Sequence, residues 1–373
     1  MQLAERPTTR EALAAALAAA GEAGSPVRFA GAGTKAGWAA PVAAHALELS
    51  TLGLDRIVEH NAGDLTAVLE AGVPLARAQE TFARAGQMLA LDPPAGDATI
   101  GGIVASGDSG PLRARYGGPR DLVVGMRVAL SDGTIAKSGG KVIKNVAGYD
   151  LAKLFTGAFG TLGAILEVAV RLHPLAPETA TAAGSSSDAD RLGRAAIALA
   201  RSPLEHHGLD LRWARGGGTL LARFAGVTPR AQAEAAERLL RAEGLDTELI
   251  EADDALWEEQ REGQRGPLVL KVSALPSRFP ALARALDAVG GRALGRAALG
   301  LYWIRLEQPS AETVGRLRRE LAPSPCVVLD RPAGLELDPW GPADPGALAL
   351  MRRVKRAFDP AGVCNPRAYV GGL

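Results

Sequence analysis

Residues Asp92–Pro174 have the sequence DPPAGDATIGGIVASGDSGPLRARYGGPRDLVVGMRVALSDGTIAKSGGKVIKNVAGYDLAKLFTGAFGTLGAILEVAVRLHP, in which glycine is set against short apolar runs more densely than elsewhere in the chain. Every side chain in Thr99–Gly107 (TIGGIVASG) is small or aliphatic. This pattern predicts that the backbone approaches a large flat group or a phosphate closely. The alternative is a tightly packed turn in the core.

The rest of this stretch predicts short strands around one helix. Strands are predicted at Asp121–Leu130 and Ile135–Ser138, joined at Ser131–Thr134, which contains the Asp-Gly signal of a hairpin. A helix is predicted at Asn145–Phe155 and a further strand at Ala164–Leu172.

The N-terminal third continues the mixture of strands and helices. Thr8–Glu11 has a capping-box pattern and precedes a predicted helix, and Val27–Ala30 is a predicted strand. The strand leads into Gly31–Lys35 (GAGTK), where backbone amides could face a phosphate and Lys35 could add charge; a plain turn is the alternative. A dinucleotide fingerprint is excluded here because Gly37–Pro41 is a poor helix former. Strands at Ala46–Ser50, Arg56–Glu59 and Leu65–Ala71 and a helix at Leu75–Ala85 complete an α+β pattern.

Composition limits the class of protein. A chain of 373 residues with 47% hydrophobic and 22% charged residues predicts a globular protein of two domains. The net charge of +1 gives no electrostatic basis for binding nucleic acid. No apolar run could span a bilayer, and no secretory signal is recognised. The two cysteines fit a reducing compartment, and they are too few for an iron–sulfur cluster, which usually needs four thiolates.

After Pro174 the composition changes. Ala176–Asp190 is rich in Ala, Ser, Thr and Gly and predicts a linker. The elements that follow predict two βαβ-like halves that share one sheet, with helices on one face. Helices are predicted at 189–201, 229–243, 278–289 and 311–321, and strands at 210–213, 219–224, 247–250, 268–273, 299–306 and 326–329. A last helix is predicted at Pro345–Ala357.

Five short motifs occur in an order that is characteristic of one family. They are Gly31–Thr34; Asp64–Gly72 (DLTAVLEAG); Ala98–Gly102 with Arg115–Gly117; Gly148–Leu151 with Gly160–Gly163; and Phe358–Pro360 with Asn365-Pro366. The chain resembles the PCMH-type, vanillyl-alcohol-oxidase-like FAD-binding family. Within that family, Lys144–Asp150 (KNVAGYD) and the short length are most similar to the FAD-binding subunit of bacterial glycolate oxidase.

The resemblance implies an α+β fold: a two-subdomain PCMH-type FAD-binding domain at 1–175, a smaller α+β cap domain at 176–330, and a segment at 331–373 that returns to the FAD domain. It also implies cofactor contacts. Ala30, Gly31, Ala32, Gly33, Thr34 and Lys35 would hold the pyrophosphate, and Pro94, Thr99, Gly101 and Gly102 would follow the pyrophosphate and ribityl chain. Ser106, Gly107, Ser109 and Gly110 would lie near the flavin ring, Ile165 would meet the adenine half through its backbone, and Tyr116 and Asn365 would also contact the cofactor. Arg113 would contact a phosphate or a flavin oxygen, with an exposed salt bridge as the alternative.

The positions of the histidines decide the predictions on covalent attachment of the FAD, on metal binding and on catalysis. No histidine lies near the Gly31 loop or the Thr99 segment, so the FAD is predicted to be noncovalent. His206 and His207 are adjacent, and a loop before a strand is preferred to a metal site there. Relatives that oxidise 2-hydroxy acids usually carry a spaced histidine pair in the cap. This chain lacks such a pair, so no metal is predicted and the catalytic residues are unassigned.

The resemblance implies an FAD-dependent oxidoreductase, namely the FAD-binding subunit of a multi-subunit glycolate (2-hydroxy-acid) dehydrogenase. Its partners would be a second FAD-binding subunit, an iron–sulfur subunit and a small 2-hydroxy-acid substrate. The alternatives are a self-sufficient FAD-dependent oxidoreductase and a non-catalytic assembly subunit. The expected location is the cytoplasm, with contact to the inner membrane only through partner subunits.

Overall fold

The computed structural model describes residues 4–42, 46–141 and 150–373. Most of the Lys144–Asp150 motif and the start of the helix predicted at Asn145–Phe155 lie outside the described residues. The chain forms two compact units. Unit 1 comprises Met1–Ser109, Gly117–Leu175 and Pro342–Leu373, and unit 2 comprises Gly110–Tyr116 and Ala176–Gly341. The predicted domain limits are residues 175 and 330, and the corresponding limits of the two units are Leu175 and Gly341.

Helices and strands are interspersed along the described residues. In order, the strands are β1 Ala4–Glu5, β2 Val27–Ala30, β3 Leu47–Ser50, β4 Ile57–Asn61, β5 Thr66–Glu70, β6 Gln87–Met88, β7 Val123–Ala129, β8 Ile135–Gly139, β9 Ala164–Arg171, β10 His173–Pro174, β11 Glu178–Ser186, β12 Gly208–Ala214, β13 Gly217–Gly226, β14 Asp246–Ile250, β15 Leu268–Ser273, β16 Arg292–Arg296, β17 Leu301–Leu306 and β18 Cys326–Val328. The helices are α1 Arg10–Glu22, α2 Leu75–Ala83, α3 Ile100–Ser106, α4 Arg113–Tyr116, α5 Pro119–Leu122, α6 Ala152–Phe155, α7 Ala189–Arg201, α8 Pro229–Ala242, α9 Asp254–Glu262, α10 Phe279–Asp287, α11 Ala311–Glu320 and α12 Pro345–Phe358. This mixture is the α+β fold that the sequence predicts.

Unit 1 contains a small parallel sheet and a larger antiparallel one. The parallel sheet has the order β1-β3-β2, and the antiparallel sheet has the order β4-β5-β9-β7-β8. Thr9 caps α1 by accepting a hydrogen bond from the amide of Ala12 at 3.1 Å, one residue later than the capping box predicts. Leu13 and Leu17 of α1 are fully buried in one core with Val27 and strand β3. Packing on α1 therefore fixes the end of β2, from which the Gly31–Lys35 loop begins.

Unit 2 is built on one antiparallel sheet of eight strands with the order β14-β11-β13-β12-β16-β17-β15-β18. Each half follows a β-α-β-β-α-β path, and strands β12 and β16 join the halves. The main core of the unit includes buried side chains of α7, α8, α10 and α11. The expectation that all helices lie on one face is wrong for α9, because Trp257 of this helix packs in a separate cluster with Ala183 and Leu221.

The linker predicted at Ala176–Asp190 is wrong for most of its length. Glu178–Ser186 is instead strand β11, which pairs with both β13 and β14. The strand needs small side chains, because a Cβ added at Gly184 would lie 2.8 Å from Leu245 and 3.1 Å from Leu240. The run of small residues that suggests a loop is therefore a consequence of close packing in the middle of a sheet.

Candidate cofactor site

Unit 1 contains a cavity of about 450 Å³. Its wall combines the loop after β2, the start of α3, the entry to β9 and the segment near residue 365. Many of the residues predicted to bind cofactor line it. They are Ala30, Gly31, Ala32, Gly33, Thr34, Lys35, Thr99, Gly101, Gly102, Ser106, Ile165 and Asn365. Four segments that are distant in sequence are thus brought to one cavity.

The other predicted cofactor residues lie elsewhere. Pro94, Gly107 and Ser109 belong to unit 1 but do not line the cavity that the described residues form. Gly110, Arg113 and Tyr116 belong to unit 2. A contact of these residues with cofactor remains a prediction.

The loop after β2 offers backbone donors to the cavity. Among the described residues, no acceptor pairs with the amides of Ala32, Gly33 or Thr34, although the carbonyl of Gly33 accepts from Ala36 at 3.1 Å. Gly33 has φ +76°, and a Cβ built there would have no atom within 4 Å. Successive free amides around a left-handed glycine suit an anionic group such as a diphosphate.

Gly31 packs directly against the other glycine segment. A Cβ at Gly31 would lie 2.3 Å from Oγ1 of Thr99, so only glycine fits without movement of Thr99. The same Oγ1 caps α3 by accepting a hydrogen bond from the amide of Gly102 at 3.3 Å. The two loops of the cavity wall are therefore in van der Waals contact through a single hydroxyl.

The Thr99–Gly107 segment is mainly a helix, an element that the sequence interpretation did not foresee. Helix α3 ends at Gly107, which has a left-handed φ of 66°. Gly101, which lines the cavity, also packs closely against protein: its amide donates to the carbonyl of Ala71 at 2.8 Å, and an added Cβ would lie 2.7 Å from the Cβ of Ala71. Close packing of helix α3 is therefore part of the reason why this segment contains glycine.

Asn365 connects three parts of the cavity wall. Its Oδ1 accepts from the amide of Phe29 at 2.9 Å, and its Nδ2 donates to the carbonyl of Phe159 at 2.6 Å. Its own amide donates to the carbonyl of Val27 at 2.9 Å. The C-terminal segment therefore fixes the end of β2 relative to the turn before β9.

Several residues of the wall were not foreseen from the sequence. Arg28, which forms an ion pair with Glu48, lines the cavity, as does Phe159. The ring of Phe159 lies 5.9 Å from that of Tyr369, centroid to centroid. An ordinary strand and an ordinary turn supply these side chains, so no local motif could have marked them.

Unit 2 contains a polar cluster around two adjacent histidines. The hydroxyl of Tyr116 lies 3.3 Å from Nδ1 of His207, and Arg115 pairs with Glu205 at 3.1 Å. Burial, followed by the positive charge of Arg115, lowers the pKa of His207 to about 4. Burial also lowers the pKa of His206, whose buried Nδ1 has no hydrogen-bond partner among the described residues. Sequence reasoning found no candidate base, because Tyr116 and His207 are far apart in the chain.

Metal and thiol chemistry receive little support from the described residues. Across 4–42, 46–141 and 150–373, no group of three His, Cys, Asp or Glu residues could hold a metal ion. Cys326 and Cys364 are both buried and free. Burial raises the pKa of Cys326 to about 11, and burial together with the charge of Asp359 raises that of Cys364. Both thiols are protonated at neutral pH and are poor nucleophiles.

Family models match both ends of the chain. Residues 1–139 match the FAD binding domain, and residues 340–369 match the C-terminal domain of FAD linked oxidases. The segment around Asn365 thus lies within the match to the second of these families. FAD is the cofactor that these families indicate.

Curated relatives include oxidoreductases of 2-hydroxy acids. The chain is 40% identical over 120 residues to glycolate oxidase subunit GlcE of Escherichia coli K12. The aligned residues are 32% of this chain and 34% of the relative. It is 34% identical over 169 residues to a D-lactate dehydrogenase of Archaeoglobus fulgidus, and this alignment covers 45% of this chain and 38% of the relative. An uncharacterised FAD-linked oxidoreductase of Mycobacterium tuberculosis is 27% identical over 421 residues, 99% of this chain and 90% of the relative. The matches to the first and second of these relatives thus cover little more than a third of their length.

Solved structures show the same fold. An alkyldihydroxyacetonephosphate synthase superposes with a TM-score of 0.73 over 98% of this chain and 77% of its own, at 14% sequence identity. At this identity, the likeness establishes the fold alone.

Proposed function

Because the chain belongs to the FAD-linked oxidoreductases with a PCMH-type fold, we propose that it is the FAD-carrying subunit of a multi-subunit dehydrogenase of small 2-hydroxy acids such as glycolate. The proposed partners are a second FAD-binding subunit and an iron–sulfur subunit. The similarity to GlcE supports this assignment, although it covers only part of each chain.

The observation that carries the proposal is the loop at Ala32–Thr34, which lines a glycine-rich cavity and whose amides have no acceptor among the described residues. A diphosphate needs N–H donors, and a flat ring needs a wall without bulky side chains. Among the described residues, the wall contains no histidine or cysteine that could form a covalent bond to a flavin. The residues therefore fit a noncovalent FAD.

The subunit role follows from what the chain lacks. FAD, when bound, accepts two electrons from a substrate and releases them to an acceptor. The chain has only two cysteines, one in each unit, so it cannot supply the four thiolates of an iron–sulfur cluster. Electron transfer through an iron–sulfur cluster would therefore need a second, cysteine-rich protein, which is the partner that we propose.

The first experiment is an absorbance spectrum of the purified chain. We expect a yellow protein whose FAD passes into the supernatant on acid precipitation. Flavin that stays in the pellet would contradict noncovalent binding alone. A colourless protein that cannot be reconstituted with FAD would contradict the function and favour an assembly role.

The second experiment is an assay of the chain with glycolate or D-lactate and a dye acceptor, alone and with co-expressed partners. We expect rapid turnover only in the assembled complex. Rapid reduction of the flavin in the isolated chain would contradict the subunit role.

A self-sufficient oxidoreductase is the second candidate, and the Tyr116–His207 pair is the observation that favours it. A neutral imidazole could accept the proton of a substrate hydroxyl. The depressed pKa makes His207 a weak base, however. The subunit role therefore remains the preferred function.

We also propose that the protein works in the cytoplasm and reaches the inner membrane only through its partners. Among the described residues, no helix is both long enough and apolar enough to cross a membrane. Cell fractionation tests this placement: the chain should sediment with membranes only when its partners are expressed.

A further inference from the structure

Lys35 and Asp108 form a nearly buried ion pair in unit 1. Nζ of Lys35 lies 3.1 Å from Oδ2 of Asp108, and the side chains are 8% and 2% exposed. Lys35 ends the loop after β2 and lines the cavity. Asp108 follows Gly107, where α3 ends. One ion pair therefore joins the two glycine-rich segments at a point beyond the Gly31–Thr99 contact.

From this geometry we infer that Lys35 is a positioning residue for the loop and does not bind the diphosphate directly. Its ammonium group lies 3.3 Å from Oγ1 of Thr34 and 5.7 Å from the ring centroid of Trp38, in addition to Asp108. The ammonium group is largely enclosed by protein. A phosphate bound to the same ammonium group would be repelled by the nearby carboxylate of Asp108, so direct binding is disfavoured while the ion pair is in place.

Asp108 is itself fixed by the backbone. Its Oδ1 accepts a hydrogen bond from the amide of Ser109 at 2.9 Å, and its amide donates to the carbonyl of Ile103 at 3.2 Å. The carboxylate is thus a rigid anchor at the end of α3. Through the ion pair, Lys35 holds the loop after β2 in place relative to the end of α3.

The pair also removes a charge that would oppose cofactor binding. A buried carboxylate beside a diphosphate site repels the ligand unless a cation neutralises it. The structure pairs the carboxylate of Asp108 with Lys35, so the loop can present its neutral amides to the anion. This inference rests on the assignment of FAD to the cavity.

The two possible roles of Lys35 predict opposite effects for Asp108→Asn, a variant that keeps the size of the side chain and its acceptor for Ser109. If Lys35 is a positioning residue, Asp108→Asn and Lys35→Met should each weaken FAD binding by about tenfold or more. The double variant should then bind no more weakly than the worse single variant. If Lys35 binds the diphosphate, Asp108→Asn should leave the affinity unchanged or increase it, because the ammonium is released. That result would overturn the inference.

The measurement is the Kd of FAD for the full-length apoprotein, from the quenching of flavin fluorescence. Circular dichroism and thermal unfolding of each apoprotein separate lost binding from lost folding. Wild-type apoprotein that binds no FAD would overturn the cavity assignment itself. Normal binding by wild type and by a folded Asp108→Asn variant would overturn only the role of Lys35.

A second comparison decides the matter if the single variants do not fold. The charge-reversed protein, Lys35→Glu with Asp108→Lys, keeps an ion pair between the two loops. The neutral double variant, Lys35→Met with Asp108→Asn, keeps none. A positioning role predicts tighter FAD binding by the charge-reversed protein. Tighter or equal binding by the neutral double variant would overturn that role, because glutamate at position 35 repels a diphosphate that is in direct contact.

Discussion

The hydroxyl of Tyr116 lies 3.3 Å from Nδ1 of His207, and the two rings meet edge to face at 86°. Burial raises the pKa of Tyr116 and lowers that of His207, so both groups are neutral at pH 7. The phenol can donate to an unprotonated Nδ1 or accept from a protonated one, so the hydrogen bond couples the orientation of the hydroxyl to the tautomer of His207.

The depressed pKa of His207 predicts a pH-dependent stability. In the unfolded chain, His207 binds a proton near pH 6.5, whereas the folded protein binds it only near pH 4. Its contribution to stability is therefore complete above pH 6.5 and is lost as the pH falls toward 4. Because the side chain is only partly buried, we expect a loss of about 1 kcal/mol between pH 7 and pH 5. Urea unfolding at both pH values should show a smaller loss for His207→Gln, and equal losses would contradict the shift.

The same variant tests which subunit performs the proton transfer. In the assembled complex, His207→Gln should leave glycolate oxidation within about twofold of wild type, because its depressed pKa makes His207 a weak base. A general base typically contributes 10²–10⁴-fold to rate. A fall in kcat of about 100-fold, with unchanged FAD content, would instead favour the self-sufficient candidate. His206→Ala is the matched control and should leave FAD content unchanged.

Valine at Gly33 or at Gly101 should remove FAD for different physical reasons. Gly33→Val places a branched side chain in the cavity at a left-handed φ, with a stability cost of about 1–2 kcal/mol. Gly101→Val forces Cβ against Ala71 and overpacks the contact between α3 and the end of β5, which we expect to cost about 3 kcal/mol. FAD content and the unfolding temperature of the apoproteins distinguish the two effects. Full retention of FAD by both variants would show that these loops do not form the site.

Asn365→Ala should weaken both the fold of unit 1 and cofactor binding. The change removes the partner of the Phe29 amide and that of the Phe159 carbonyl, at a cost of about 2 kcal/mol. Asn61→Ala is a suitable control, because Asn61 pairs with Asp64 at an exposed position. It should change stability by less than about 0.5 kcal/mol and leave FAD content unchanged. Equal effects of the two variants in thermal unfolding would contradict the role of Asn365.

Local sequence patterns predicted those helices and strands whose local preference agrees with their surroundings in the fold. The strand Val27–Ala30 and the helix Ala189–Arg201 have the predicted limits, because their apolar periodicity matches the face that each buries. Strand β11 was missed because its small residues serve long-range packing on both faces. Strand β16 and helix α9 were also missed. In each of these regions tertiary contacts outweigh local preference.

The segments that line the cavity could be predicted from the sequence, but the contacts that join those segments could not. Ordered glycine motifs located the loop after β2 and the start of α3. The partner of Lys35, the three hydrogen bonds of Asn365 and the Tyr116–His207 pair each join residues that are distant in sequence. No local period or spacing encodes such contacts, and they depend on the completed fold.

The hydrogen bonds of Asn365 also bear on how the holoprotein is made in the cell. The ribosome synthesises Phe29 and Phe159 long before Asn365, so the cavity wall stays open through most of translation. The nascent chain then exposes a half-built nucleotide site to chaperones and proteases. FAD should therefore enter late, after residue 365 has emerged.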